Sequence, residues 1–183
     1  MLKTENKRLA WAFTGSGHYL RECLDILEPL QNVDVFLSRA AAEIMQQYGF
    51  MARLNGFKMP IFTEKTASSV PVEWFYQGKY HTLVIAPATS NTIAKMALGI
   101  SDSLVTNLYA QAGKTRVPSI VFACDTAPAL TSEAPNDNLV QVYPRQIDLN
   151  HVATLANFEA TQVVADMRAL QSAVLHQQNQ ATP

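Results

Sequence analysis

Three short segments carry residue types suited to gripping a phosphorylated ligand: Thr14-Gly15-Ser16-Gly17, Ser38-Arg39, and Pro87-Ala88-Thr89-Ser90-Asn91-Thr92. Each joins small hydroxyl side chains to the opening of a helical pattern. Helix N-termini leave backbone N–H groups without intrahelical partners and carry partial positive charge, so they receive phosphate. Glycine at 15 and 17 lets the backbone approach a ligand closely, and Ser16 and Ser38 add hydroxyl donors. Taken singly, a serine or threonine ahead of a helix is an N-cap. Three such turns at successive strand ends of one sheet meet at one crevice, which favours a phosphorylated ligand over three unrelated caps.

The spacing excludes two common phosphate binders. A dinucleotide fingerprint needs a third glycine where Leu20 stands, and Ser38-Arg39 replaces the acidic residue that would close the second strand. The lysine pattern of a P-loop is missing as well. A mononucleotide fits better than NAD.

The elements that position these turns follow from hydrophobic periodicity. Residues 8–14 (RLAWAFT) form an apolar run entering the glycine turn, and Leu20, Leu24, Leu27 and Leu30 recur at helical spacing. A second strand is predicted over 33–37, with Ser38 capping a helix through Ala41, Ile44, Met45 and Tyr48 that ends at Gly49. Residues 50–80 read as irregular, with short pieces around Pro60-Ile61-Phe62 and a small helix near 72–76. Strands are expected at 81–86 and 118–123, and helices at 91–98 and 101–112. Proline and small polar residues make 127–149 a loop or flap, and 150–176 an amphipathic C-terminal helix. Strands alternating with helices predict a parallel sheet covered on both faces. The expected architecture is a three-layer, doubly wound α/β fold, flavodoxin-like or Rossmann-like, in a single domain whose core spans about 8–126.

Composition narrows the functional classes. The chain has 183 residues, 48% apolar and 16% charged, with a formal net charge of −1. Such a balance argues against nucleic acid as the main partner, because phosphate-backbone binding needs a basic surface. No apolar run reaches the roughly 18 residues of a membrane span. The start, MLKTENKRLAWAF, enters a strand directly, so no secretory leader is expected. Cys23 and Cys124 stand far apart without ligand spacing, so no metal site is expected and a reducing, cytoplasmic setting is.

The stretch APATSNTIAKMALGISDSLVTN resembles the signature PxSANTxxKxxxGxxDxLxT of the homo-oligomeric, flavin-containing cysteine-decarboxylase-like flavoproteins. The similarity covers about 8–126, and ATSNTIAK, GISDSLVTN and RQIDLNHVATL are most similar to its dihydromethanopterin reductase and archaeoflavoprotein branch. The resemblance implies bound FMN. By it, Thr14, Gly15, Ser16 and Gly17 would hold the phosphate, with Ser38 and Arg39 beside the ribityl chain or phosphate. Ala88, Thr89, Ser90, Asn91 and Thr92 would line the isoalloxazine and ribityl side, and Asp102 and Ser103 would cap a helix starting close to the flavin. Ala123 and Cys124, at the next strand end, would lie near the ring, with Asp125 as a candidate proton donor. The resemblance further implies a homo-oligomer built from trimers, of about twelve or more subunits.

Departures from the family decide the chemistry. The region LNGFKMPIFTEKT lacks the decarboxylases' catalytic histidine, and FACDTAPAL lacks their PxMN motif, which points away from cysteine decarboxylation. Lys114, Arg116 and Arg145 are a faint echo of the basic stretch of flavin prenyltransferases. The expected activity is therefore FMN-dependent reduction of a dihydropterin of the dihydromethanopterin type. The alternatives are flavin prenyl transfer, or electron transfer without a small substrate. No nicotinamide or cluster motif marks the electron donor. Among the remaining residues, Cys124 reads as a small buried hydrophobe, His81 as structural, and His18 as exposed on the first helical turn. Tyr19, Trp74, Tyr76 and Tyr109 are either stacking surfaces for a pterin or packed aromatics.

Overall fold

A computed structural model describes residues 7–65, 70–134 and 138–181. Its central sheet runs β3-β2-β1-β4-β5-β8, all parallel. The strands are β1 (Arg8–Phe13), β2 (Val33–Leu37), β3 (Ile61–Thr63), β4 (Tyr80–Ala88), β5 (Ser119–Ala123) and β8 (Thr161–Val163). The chain winds outward from β1 through β2 to β3, then returns to β4 beside β1 and winds the other way. The strand order reverses between β1 and β4, and in open parallel sheets ligands bind outside the strand carboxyl ends at such a reversal.

Alternation along β1 shows why the sheet is covered on both faces. Leu9, Trp11 and Phe13 enter one apolar cluster, packed with α1 (Leu20–Leu27), α2 (Arg39–Gln47), α3 (Met51–Gly56) and α7 (Met167–Ala181). Ala10 and Ala12 enter the other, with α4 (Ser90–Ala97), α5 (Leu104–Lys114), a 3-10 turn at Val70–Phe75 and Leu155 of α6 (Gln146–Leu155). The short Ala10 and Ala12 side chains leave room for α5 and for Phe36, Phe75 and Tyr80 on that side. The result is the doubly wound, three-layer architecture expected from the strand–helix alternation.

Three segments differ from the sequence reading. The 127–149 region is not a plain loop: β6 (Leu130–Ala134) and β7 (Asn138–Val142) pair antiparallel as a hairpin outside the main sheet. The single helix expected over 150–176 is broken into α6, the edge strand β8 and α7. The break is made by tertiary pairing of β8 with β5, and by a left-handed Ala160 (φ 55°) whose carbonyl accepts the Ser119 N–H at 2.8 Å. Residues 50–80, read as irregular, also contain α3; the piece expected around Pro60-Ile61-Phe62 is β3, and the small helix expected near 72–76 is the 3-10 turn at Val70–Phe75.

Candidate functional site

Each expected turn sits at the carboxyl end of a parallel strand. Thr14 follows β1, Ser38 follows β2, Thr89 follows β4 and Cys124 follows β5. The β1 and β4 turns are bonded to each other. The buried Thr14 hydroxyl donates to the Pro87 carbonyl at 2.8 Å and accepts the Thr89 N–H at 2.9 Å. The Ser38 N–H donates to the Phe13 carbonyl at 3.2 Å, and the Cys124 N–H to the Ala88 carbonyl at 2.9 Å. Four neighbouring strand ends are thereby stitched into one rim.

A cleft of about 630 Å³ opens on that rim. It lies within the roughly 300–1,000 Å³ usual for small-molecule sites. Gly15, Ser38, Arg39, Thr89, Asn91, Thr92 and Ser103 line it, so residues from all three turns meet in one place. The other expected contacts do not line it. Thr14, Ala88 and Ala123 are buried behind the surface, and Ser16 and Ser90 lie on the β5 side. There the Cys124 thiol donates to Ser16 Oγ at 3.1 Å, and the Ser90 hydroxyl donates to Asp125 Oδ2.

The hydroxyls at the cleft also cap helices. Ser38 Oγ accepts the Ala41 N–H at 3.0 Å, which leaves the hydroxyl proton outside that cap. Thr89 Oγ1 accepts the Thr92 N–H at 3.3 Å, and Ser103 forms a capping box with Thr106. Glycine is required at position 15, where a Cβ would lie 2.5 Å from the Ala40 Cβ. A Cβ on Gly17 would run into the Tyr48 ring. The glycine turn is thus pressed against α2, with Gly15 on the cleft wall.

Charge in the cleft is mixed: Glu43, Glu64 and Asp102 stand with Arg39, Lys65 and Lys95. Lys95 Nζ bridges both Asp102 oxygens at 2.8 and 2.9 Å, which pulls the exposed Asp102 carboxyl below its ordinary value. These two are the lysine and aspartate of the KxxxGxxD stretch, where the spacing itself was the signal. Glu64, the first residue after β3, was not foreseen. Its carboxylate accepts the Arg39 N–H at 2.9 Å and the Leu104 N–H at 2.7 Å. Arg39 itself is exposed at the rim.

Other candidates fall where packing takes them. Cys124 is buried, and burial, aided by Asp125 and opposed by the Ser16 contact, pushes its thiol up to about 12. His18 is half-buried rather than exposed, its ring 3.7 Å from that of Tyr19. Tyr19 meets Phe122 edge-on beside the glycine turn. Trp74 packs on Phe62 and lies under Lys79, Tyr109 bonds Thr161, and Tyr76 bonds Gln111. His81 shares a hydrogen bond with Thr82 at 2.9 Å, as a structural histidine does, and burial lowers its pKa. Lys114 and Arg116 precede β5, at the sheet edge opposite the cleft, and Arg145 is committed to Asp148 of its own helix at 2.8–2.9 Å. Within one chain the three cations form no cluster at the cleft. Among the described residues, no group of His, Cys, Asp and Glu is arranged to hold a metal, and no helix is long and apolar enough to cross a membrane.

A family model described as Flavoprotein matches residues 2–179. The chain belongs to that flavoprotein family. A solved structure of Burkholderia xenovorans DmrB in complex with FMN, described as a cubic protein cage for redox transfer, is 46% identical with a TM-score of 0.88. The match covers 97% of this chain and 98% of that one. Dihydromethanopterin reductase (acceptor) of Methanosarcina mazei is 38% identical over 142 residues, 70% of this chain and 59% of that protein. This flavoprotein therefore spans about three fifths of the length of that curated relative. An uncharacterised protein of Methanocaldococcus jannaschii is 31% identical over 175 residues, 92% of this chain and 94% of that one.

Proposed function

We propose that this flavoprotein is an FMN-dependent reductase of a dihydropterin of the dihydromethanopterin type, acting as a homo-oligomer of trimers in the cytoplasm. One observation carries the reading: three hydroxyl- and glycine-bearing turns meet in one cleft at the strand-order reversal. The likeness across nearly the whole chain to a protein solved with FMN and described as a cage supports it.

The donor set suits a phosphorylated flavin. In our assignment, Gly15 and Ser38, which line the cleft, take the phosphate, and Arg39 offsets its charge at the rim. Thr89, Asn91 and Thr92 line the ribityl and ring side, and Ser103 closes the far wall. FMN, when bound, supplies the reducing equivalents for the C=N bond of the pterin. Reduction of that bond also needs a proton on nitrogen. Asp125, whose Oδ2 accepts the Ser90 hydroxyl, is the group assigned to deliver it. Cys124 takes no part as a nucleophile, because its thiol stays protonated near neutral pH.

Purified protein reconstituted with FMN should turn yellow and, once reduced, convert a dihydropterin to the tetrahydro form. D125N should retain flavin and lose turnover. A protein that cannot be loaded with FMN would overturn the reading. The description of the Burkholderia relative as a cage for redox transfer favours a second reading, electron transfer to a protein partner. Flavin that cycles with a protein donor yet ignores every pterin would select it.

A further inference from the structure

Glu64 bridges the two helical layers across the carboxyl edge of the sheet. Its own N–H donates to the Leu37 carbonyl at 2.9 Å, so its backbone is fixed to the end of β2. From there one carboxylate oxygen reaches the first turn of α2 and the other the first turn of α5. The α2 helix packs in the cluster on one face of the sheet, and α5 in the cluster on the other. Ser38-Arg39 and Ser103, which precede or begin these helices, are both walls of the cleft. Two positive helix ends therefore converge on a single internal anion.

We propose that Glu64 is a positioning residue for the flavin: by clasping the Arg39 and Leu104 amides it fixes the separation of the two cleft walls before ligand arrives. It also satisfies both helix ends from within the chain. The inference rests on the flavin reading above. Charge alone does not define the role, because the clasp needs a carboxylate long enough to touch both amides.

The test compares E64Q, E64D and E64A with the unaltered protein. The readouts are FMN titration, the visible spectrum of bound flavin, and hydrogen exchange of the 38–41 and 103–106 segments. In the unaltered protein both segments should be protected without FMN. Gln keeps the length but offers one acceptor oxygen, and Asp keeps the charge but is shorter. Both should lose protection at one segment or the other, weaken FMN by roughly ten-fold, and alter the flavin band shape. E64A should do so more strongly. An E64D that binds FMN like the unaltered protein would show that charge suffices and overturn the clasp. So would an E64Q within about two-fold of the unaltered protein with the same flavin spectrum. If E64A fails to fold, the isosteric E64Q and the exchange pattern of the unaltered protein still decide. Unaltered protein that does not take up FMN defeats the flavin reading. Exchange protection that appears at both segments only after FMN is added defeats the Glu64 proposal alone.

Discussion

The Thr14 hydroxyl holds Thr89 across the strand-order reversal, accepting its N–H at 2.9 Å while donating to Pro87 at 2.8 Å. T14V keeps the shape and removes both contacts. The Thr89 N–H then loses its acceptor, a defect costing about 1–3 kcal/mol. Chemical denaturation should register that loss. FMN titration of the folded fraction should also show weaker binding, because Thr89 lines the cleft. An unchanged affinity would mean that the rim holds its shape without this bridge.

Close contact of the glycine turn with α2 predicts an order of effects. A methyl at position 15 meets the Ala40 Cβ, which sits on the helix backbone and cannot turn aside. A methyl at 17 meets the outer end of the Tyr48 ring, which can swing. G15A should therefore lose about 1–3 kcal/mol of stability, with G17A losing less. FMN binding should follow the same order, since Gly15, Arg39 and Ala40 share the cleft wall. Melting curves and flavin titrations on the pair check both statements.

At the opposite edge of the sheet, Asp34 is 1% exposed and gathers Arg8 Nε at 2.7 Å, Lys79 Nζ at 2.8 Å and the Tyr80 hydroxyl at 2.8 Å. Burial, then the Asp34 charge, pushes the Tyr80 hydroxyl well above its ordinary pKa. D34N preserves volume but leaves two cations facing a neutral amide. A loss of about 3 kcal/mol is expected, the low end for breaking a buried pair, because Arg8 and Lys79 reach solvent. Flavin affinity of the folded protein should not move. A shift in affinity would show that the two sheet edges are coupled.

The sequence made the interior strands legible because β1, β2, β4 and β5 are nearly continuous apolar runs, buried on both faces. β3 and β8 have three residues each and are only partly buried, so periodicity says little about them. The hairpin strand β7 is exposed along most of its length, which hides it from any hydrophobic pattern. No Gly or Pro separates α6 from α7 between residues 156 and 166, and their separation depends on a pairing with β5. The three turns could be read because hydroxyl, glycine and helix start are local signals. Glu64 could not, since its two amide partners lie 25 and 40 residues away and meet only in the fold.

Burial of Cys124 makes a pH-dependent prediction. Its thiol is pushed from the ordinary 9.0 up to about 12, mainly because the thiolate would be formed out of water. Between pH 9 and 12 the unfolded chain releases this proton while the folded chain keeps it. Stability from this group is thus complete below pH 9 and falls as pH rises toward 12. C124A should flatten that alkaline decline, though only in part, because burial also raises the Cys23 thiol well above its ordinary value. In the folded protein at pH 8, alkylation of Cys124 by iodoacetamide should be far slower than that of a free thiol. Rapid alkylation under those conditions would mean that the β5 strand end opens to solvent, and the protonated thiol assigned beside the flavin would have to be abandoned.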